Sequence, residues 1–496
     1  MKFLGIDLGS SSIKLSVFDA EKGTEVVAVT VPENEMEIQA PKFGWAEQDP
    51  ELWWSYVKQG LSGIAQKGIN LKEIQAIGIA YQMHGLVVTD EHLNPIRPSI
   101  IWCDSRAVEA GREAFDKYGP EKCLQELLGS PGNFTASKLK WVREQEPDVY
   151  QKIRHIMLPG DFIAARLTRV PQTSQSGLSE AALWNFPEGR LATELLKSMG
   201  LDAELVPEIV PNFGKQATIH PEVAAELGLN NEVSVTYRAG DQPNNAFSLN
   251  VLEPGEIATT AGTSAVVYSV SDENVYDKES RINTFLHVNN SEKARRNGVM
   301  LCINGSGISY QWLRKLLSAA TSEPVSYEFL NQQAASVGPG SEQLLFYPFG
   351  NGVERIFQNK KANSGIENLN FNLHKPAHIV RAASEGIVFA MNYGFEVMKD
   401  LGVQGNTIKA GKANLFLSPT FREIFVNTTQ TNLKLYNTSG AEGAARGAAC
   451  GFGYYKNMNE AFSNLKVVES LEPESQLIEQ YAELYEIWKQ GIKIEK

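Results

Sequence analysis

The chain predicts an α/β fold made of two related halves, and a pair of similar segments carries most of that expectation. The first is Phe3-Leu-Gly-Ile-Asp7-Leu-Gly9-Ser10-Ser11-Ser12-Ile-Lys14, the second Ile257-Ala-Thr-Thr-Ala-Gly262-Thr263-Ser264-Ala-Val-Val-Tyr268. Each reads as an apolar strand, a tight turn of glycine and hydroxyl residues, and a second apolar strand. Glycine lets backbone N–H groups come close to an anion, and the hydroxyls add donors. Asp7, at the mouth of the first turn, is placed to hold a hydrated Mg²⁺ beside that anion. Either segment alone reads equally well as an ordinary β-hairpin. One in each half points to two domains clamping a polyphosphate. Neither segment fits G-x-x-x-x-G-K-[ST] or G-x-G-x-x-G.

The remaining elements follow in chain order. Phe3 to Asp7, Ile13 to Phe18 and Glu25 to Val31 read as strands, with a turn at Asp19-Ala-Glu-Lys-Gly23. Asp49 is a plausible N-cap for a helix that starts at Pro50 and continues through Val57, Leu61 and Ile64. Ile74 to Ala80 is a buried strand that delivers Tyr81-Gln-Met83-His84-Gly85 to its C-terminal end, the edge where open α/β sheets bind ligands. Residues 132–168 read as largely helical. Val233 to Ala239 is a strand running into Gly240-Asp241-Gln242-Pro243, and the halves are expected to divide there, as 1–243 and 244–496. Without a low-complexity linker, crossing segments are expected to hinge them.

In the second half, Val299 to Ile303 is a strand followed by Gly305-Ser-Gly307, which opens a helix. Leu344 to Phe349 is a short apolar run, and His378 to Met398 is strongly helical. Asn437 to Gly451 reads as a helix of small residues, suited either to close ligand approach or to tight helix–sheet packing.

The net charge of −12 and a pI near 5.3 argue against nucleic acid or an anionic membrane as partner. The four cysteines are scattered, with no C-x-x-C pair, which suits a reducing compartment. Asp7 interrupts the only apolar run near the N-terminus, and no long apolar stretch occurs elsewhere, so a cytoplasmic protein is expected.

An ordered set of motifs resembles the FGGY-type carbohydrate kinases related to glycerol kinase and xylulose kinase. They are Gly5-Ile-Asp7-Leu-Gly9-Ser10-Ser11; Gly44-Trp45-Ala-Glu47-Gln48-Asp49-Pro50; Gln82-Met83-His84-Gly85 with Trp102-Cys-Asp104-Ser-Arg106; Ala239-Gly240-Asp241-Gln242; and Gly262-Thr263-Ser264. The resemblance spans essentially the whole chain. It implies two ribonuclease-H-like domains of the actin, hexokinase and heat-shock ATPase type. A sugar would sit mainly on the first, with ATP in the cleft between them. Gln-Met-His-Gly is the variant of the xylulose-kinase branch. The implied reaction is ATP-dependent phosphorylation of D-xylulose to D-xylulose 5-phosphate. Sister substrates (ribulose, fuculose, gluconate, glycerol) and a non-catalytic nucleotide switch stand as alternatives, and a homodimer is common in such kinases.

Residue by residue, the resemblance makes Asp241 the general base, whereas its surroundings by themselves favour a turn-forming Asp that caps the helix after Pro243. Asp7 would act through Mg²⁺ and its waters. Ser10, Ser11, Ser12 and Lys14 match phosphate-contacting positions, with Lys14 equally readable as a strand-edge lysine. Gly262 and Thr263 would reach phosphates from the other half. Gly307 and Gln311 match nucleotide-site positions, Gln311 being equally readable as a helix-surface residue. Met83 and His84 match ketopentose contacts. Asp104 and Arg106 would bind sugar hydroxyls or pair with each other. Trp45, Glu47 and Gln48 are expected to shape the first domain. Ala410-Gly411-Lys412-Ala413-Asn414 replaces the family's glycine-rich adenine loop, leaving Gly411 with Lys412 or Asn414 as candidate contacts. Glu354-Arg355 keeps the family's Glu-Arg without the Thr-Pro that usually follows.

Overall fold

The computed structural model describes residues 1–319 and 321–495. Lys2–Leu8 (β1), Ile13–Asp19 (β2) and Thr24–Val31 (β3) form the expected antiparallel start. Gly23 takes a φ of +66° in the β2–β3 turn, and its N–H donates to the Asp19 carbonyl at 2.8 Å. Ile74–Tyr81 (β4) lies parallel to β1. Phe213–Thr218 (β5) and Ser234–Gly240 (β6) complete a six-stranded sheet of order β5-β6-β4-β1-β2-β3, with β6 parallel to β4.

The second half repeats the plan. Ile257–Ala261 (β7), Ala265–Ser271 (β8), Asn283–Leu286 (β9), Asn297–Ile303 (β10), Thr407–Gly411 (β11), Asn432–Tyr436 (β12) and Val467–Leu471 (β13) form a seven-stranded sheet. Its order is β9-β10-β8-β7-β11-β12-β13. Both sheets share one core, three antiparallel strands followed by two parallel ones. This is the duplicated ribonuclease-H-like plan that the resemblance implied.

Helices cover the sheets. Pro50–Gln66 (α1) begins where expected: the Asp49 side chain accepts the Glu51 N–H at 2.9 Å, and Trp53, Val57, Leu61 and Ile64 are buried. Thr135–Gln145 (α2) and Pro159–Thr168 (α3) lie in the stretch read as helical. A short strand, His155–Met157, pairs with Val87–Thr89 and interrupts it. The apolar Ile156 and Met157 find a strand partner far away in sequence, which local periodicity does not report. Gln175–Glu180 (α4) is short. Asp241–Ser248 (α5) starts at Asp241 itself, with Gly240 as N-cap, so Asp241 opens a helix and does not sit in a loose turn. The expected division at 243/244 falls inside α5.

Gly307–Ser318 (α6), Pro376–Asp400 (α7) and Gly440–Phe452 (α8) belong by sequence to the second half. Yet α8 packs on β1, β4 and β6 of the first sheet. Its backbone lies so close that any side chain at Gly5 would overlap the Ala441 carbonyl, and one at Gly78 the Ala444 carbonyl. From the helix side, a Cβ at Gly447 would fall 2.6 Å from the Tyr237 ring. The small residues therefore serve tight helix–sheet packing, one of the two readings open for this run. Thr236 Oγ1 donates to the Ala448 carbonyl at 2.9 Å, and Asn244 Nδ2 to the Gly440 carbonyl at 2.9 Å.

Among the described residues, no helix is long and apolar enough to cross a membrane, and all four cysteines are free.

Candidate active site

Strand register assembles the first half of the site. Leu8 pairs with Tyr81, and Tyr81 with Gly240, across the parallel strands β1, β4 and β6. The residues at and just past these ends therefore stand side by side: Asp7, Gln82-Met83-His84 and Asp241. Asp7 and Asp241 are close enough to repel. Burial, with Asp7 adding, pushes the Asp241 carboxyl up to about 7. Burial pushes Asp7 up to about 6 against the pull of Lys14, its cross-strand partner. Among the described residues neither acid makes an ion pair. No cluster of three His, Cys, Asp or Glu side chains is present there to hold a metal alone. Two carboxylates without a cation, leaving most ligand positions to water and phosphate, fit a Mg²⁺ ion. The N-terminus of α8 abuts Asp7, and any side chain at Gly440 would overlap its carboxylate.

The sugar-side candidates lie next to Asp241. Met83 is buried, with its Cγ 2.6 Å from where a Cβ on Gly240 would fall. His84 has a φ of +61°, a left-handed conformation uncommon outside glycine. Its Nδ1 lies 2.9 Å from the Glu180 carbonyl, which can only accept, so Nδ1 carries the proton and Nε2 is left as an acceptor. Burial, with Lys138 nearby, holds the imidazole down to about 3, hence neutral. Phe134 from the first half and Phe285 from the second flank the ring, at 4.4 and 5.3 Å between centroids.

Asp104 and Arg106 do not face this site. They pair with each other at 2.7 Å, with side chains 0% and 1% exposed. Arg106 also pairs with Glu47 at 2.6 Å and lies 3.7 Å over the Trp45 ring. Of the two readings, mutual pairing is the one the structure shows, and it engages both side chains away from solvent. Trp45, Glu47 and Gln48 are framework, Gln48 holding the Ser10 carbonyl at 2.7 Å.

The second half contributes a cavity of about 710 Å³. Gly262, Thr263, Gly307, Gln311 and Asn414 all line it. Gly307 and Ile308 donate their N–H groups to the Gly262 and Thr263 carbonyls, both at 3.0 Å. Gly307 thus serves close approach of the β7–β8 turn to α6, and its N–H is not free for a phosphate. Gly411 ends β11 but does not line the cavity. Lys412 turns away to pair with Glu469 at 3.1 Å, which leaves Asn414 as the cavity residue of that loop. Across the cleft, Gly9 donates to the Ser12 carbonyl at 3.0 Å and closes the β1–β2 turn. Ser11 is exposed there, while Ser10, Ser12 and Lys14 are half-buried. The Ser10 hydroxyl accepts from the Trp102 indole at 3.4 Å.

Residues 2–248 match the FGGY family of carbohydrate kinases, N-terminal domain, and residues 257–451 match its C-terminal domain. The chain belongs to this family. It is 29% identical over 499 residues to a xylulose kinase of Staphylococcus epidermidis, covering 98% of this chain and 96% of that one. The fold is similar to that of a ligand-bound xylulose kinase from Lactobacillus acidophilus, with a TM-score of 0.87 and 21% identity over 99% of this chain and 97% of that one. A gluconate kinase from the same organism is similar to the same degree: TM-score 0.87, 20% identity, and the same coverage.

Several residues of this kinase's cleft have no local signature in the sequence. Lys138, fully buried, donates to the His84 carbonyl at 2.7 Å and the Ile101 carbonyl at 3.0 Å. It thereby pins the strained His84 backbone, and burial draws its ammonium down to about 7. Glu180 is 1% exposed beside Gly240, with Oε1 lacking any partner. Burial and the Asp241 charge raise its carboxyl well above the usual carboxylate range.

Proposed function

We propose that this chain transfers the terminal phosphoryl group of Mg·ATP to D-xylulose, giving D-xylulose 5-phosphate. The observation that carries this reading is the side-by-side placement of Asp7, Met83-His84 and Asp241 at three parallel strand ends, with the Gly262–Thr263 cavity contributed by the other half. Asp241 accepts the proton of the attacking hydroxyl; a carboxyl raised toward neutrality is a stronger base than an ordinary aspartate. His84 Nε2 accepts a hydrogen bond from a sugar hydroxyl, the neutral ring leaving that nitrogen free as an acceptor. Ser10, Ser11, Ser12, Lys14, Gly262 and Thr263 surround the phosphates, with Gln311 and Asn414 toward the nucleoside. A Mg²⁺ ion, held through water by Asp7, would neutralise phosphate charge when bound. Residues 1–243 then hold the sugar and 244–496 the nucleotide, with α8 reaching back to Asp7.

The equal fold similarity to a gluconate kinase favours a sister substrate as the second reading. ADP release from Mg·ATP across D-xylulose, L-xylulose, D-ribulose, L-fuculose, gluconate and glycerol separates the two. D-xylulose is expected to give the highest kcat/KM. A different preferred sugar would keep the kinase and overturn the substrate. ATP bound with no sugar stimulation would favour a nucleotide switch.

A further inference from the structure

Arg355 occupies an unusual position. It follows Glu354, which is fully buried and accepts the Asn304 and Gly305 N–H groups, both at 2.9 Å. Asn304 Nδ2 also donates to the Val353 carbonyl at 2.8 Å. The loop is thus fastened to the segment that opens α6, on the nucleotide side. Its guanidinium nevertheless lies 5.8 Å from the Phe134 ring centroid, on the sugar side, where Phe134 packs on His84. Among the described residues Arg355 makes no ion pair, and its buried Nε has no hydrogen-bond partner. Burial lowers it to about 10, still charged at neutral pH. Burial pushes the Cys302 thiol up to about 11, and Arg355 and Asp241 both act on it, in opposite directions. Phe134, on which the guanidinium lies, packs against His84, whose segment stands beside Asp241 at the strand ends. Of the other cleft groups, His84 is neutral, Lys138 is committed to two carbonyls, and Lys14 stands across from Asp7 on the neighbouring strand. Arg355 is a permanent, unpaired cation where the two halves meet.

We propose that Arg355 is a catalytic residue, its guanidinium binding the oxygens of the phosphoryl group during transfer; this rests on the kinase reading above. The acceptor oxygen bonds to the γ-phosphorus as the bond from that phosphorus to the bridging oxygen breaks. Asp241 takes the hydroxyl proton, and ADP departs with the electron pair. A planar fork of donors suits the spread of charge over the equatorial oxygens.

The test compares wild type with Arg355→Met and Arg355→Lys, in turnover and in calorimetric binding of Mg·ADP with and without aluminium fluoride, a mimic of the transferring group. Arg355→Met is expected to lower kcat by about a hundredfold or more, with both KM values within about threefold. Mg·ADP should bind as in wild type, while the fluoride complex weakens by about a hundredfold. Arg355→Lys should recover part of both losses and decides the matter if the Met variant fails to fold. An unchanged kcat, a loss confined to sugar KM, or equal fluoride binding would overturn the assignment. If wild type phosphorylates no sugar, the kinase reading fails, and fluoride binding still decides on Arg355: a selective loss supports it and equal binding rejects it.

Discussion

Asp241 and Asp7 are two carboxylates in one pocket, neither in an ion pair among the described residues, and this has opposite effects on stability and activity. Folding raises both above the usual carboxylate range, to about 7 and about 6. Their protonated forms therefore favour the fold at low pH, and that contribution is lost as pH rises through 6 to 7. Asp241→Asn should remove at least about a thousandfold of kcat/KM by deleting the base. It should also raise the melting temperature of the free protein at pH 8 by about 2–4 °C, with a smaller gain at pH 5. Thermal scans at both pH values check this; a lower melting temperature at pH 8 would mean Asp241 is structurally satisfied. At this scale the position of Asp241 just after a strand was legible, and its role as candidate base came from the family resemblance. Glu180 and Lys138 were not, because only the fold brings them beside His84 and Gly240.

Element packing concentrates at α8. Its small residues let the helix backbone rest on the glycines of β1 and β4, which sets its first turn against Asp7. Gly78→Ala would drive a methyl into the Ala444 carbonyl and 3.3 Å from the Ala448 Cβ. The expected cost is about 3 kcal/mol or more, because backbone rather than a flexible side chain must move. Gly411→Ala is the control: its Cβ meets nothing within 4 Å, and stability should stay within about 0.5 kcal/mol. Chemical denaturation of both variants checks the contrast; equal effects would show that α8 can shift freely. The cap and period of α1 and the helical character of α7 were legible because they are local, whereas the face chosen by α8 was left open between ligand and sheet.

For the whole molecule, the site divides between two sheets of the same plan, joined through α5 and α8. Phe285 of the second sheet already meets His84, just past a strand end of the first. Closure on both substrates would exclude water from the phosphoryl group and limit hydrolysis. Small-angle scattering should therefore show a smaller radius of gyration with a sugar and a non-hydrolysable Mg·nucleotide together than with either alone. An unchanged radius would place the free protein in the closed form already.

Read alone, the chain determined the strands of its two hairpins, β4, β6 and β10, the start of α1 and the α/β class of its two halves, while Asp241 stood out as a candidate base through the family resemblance. These are written in short windows of periodicity, capping and turn chemistry, where neighbours in sequence are neighbours in space. Tertiary structure decided what depends on long-range convergence. It paired Asp104 with Arg106 away from the sugar side, engaged the Gly307 N–H in the hairpin, turned Lys412 toward Glu469, and brought unpaired Arg355 across to Phe134. A charged side chain's role is set by which partners reach it, and only packing brings those partners together.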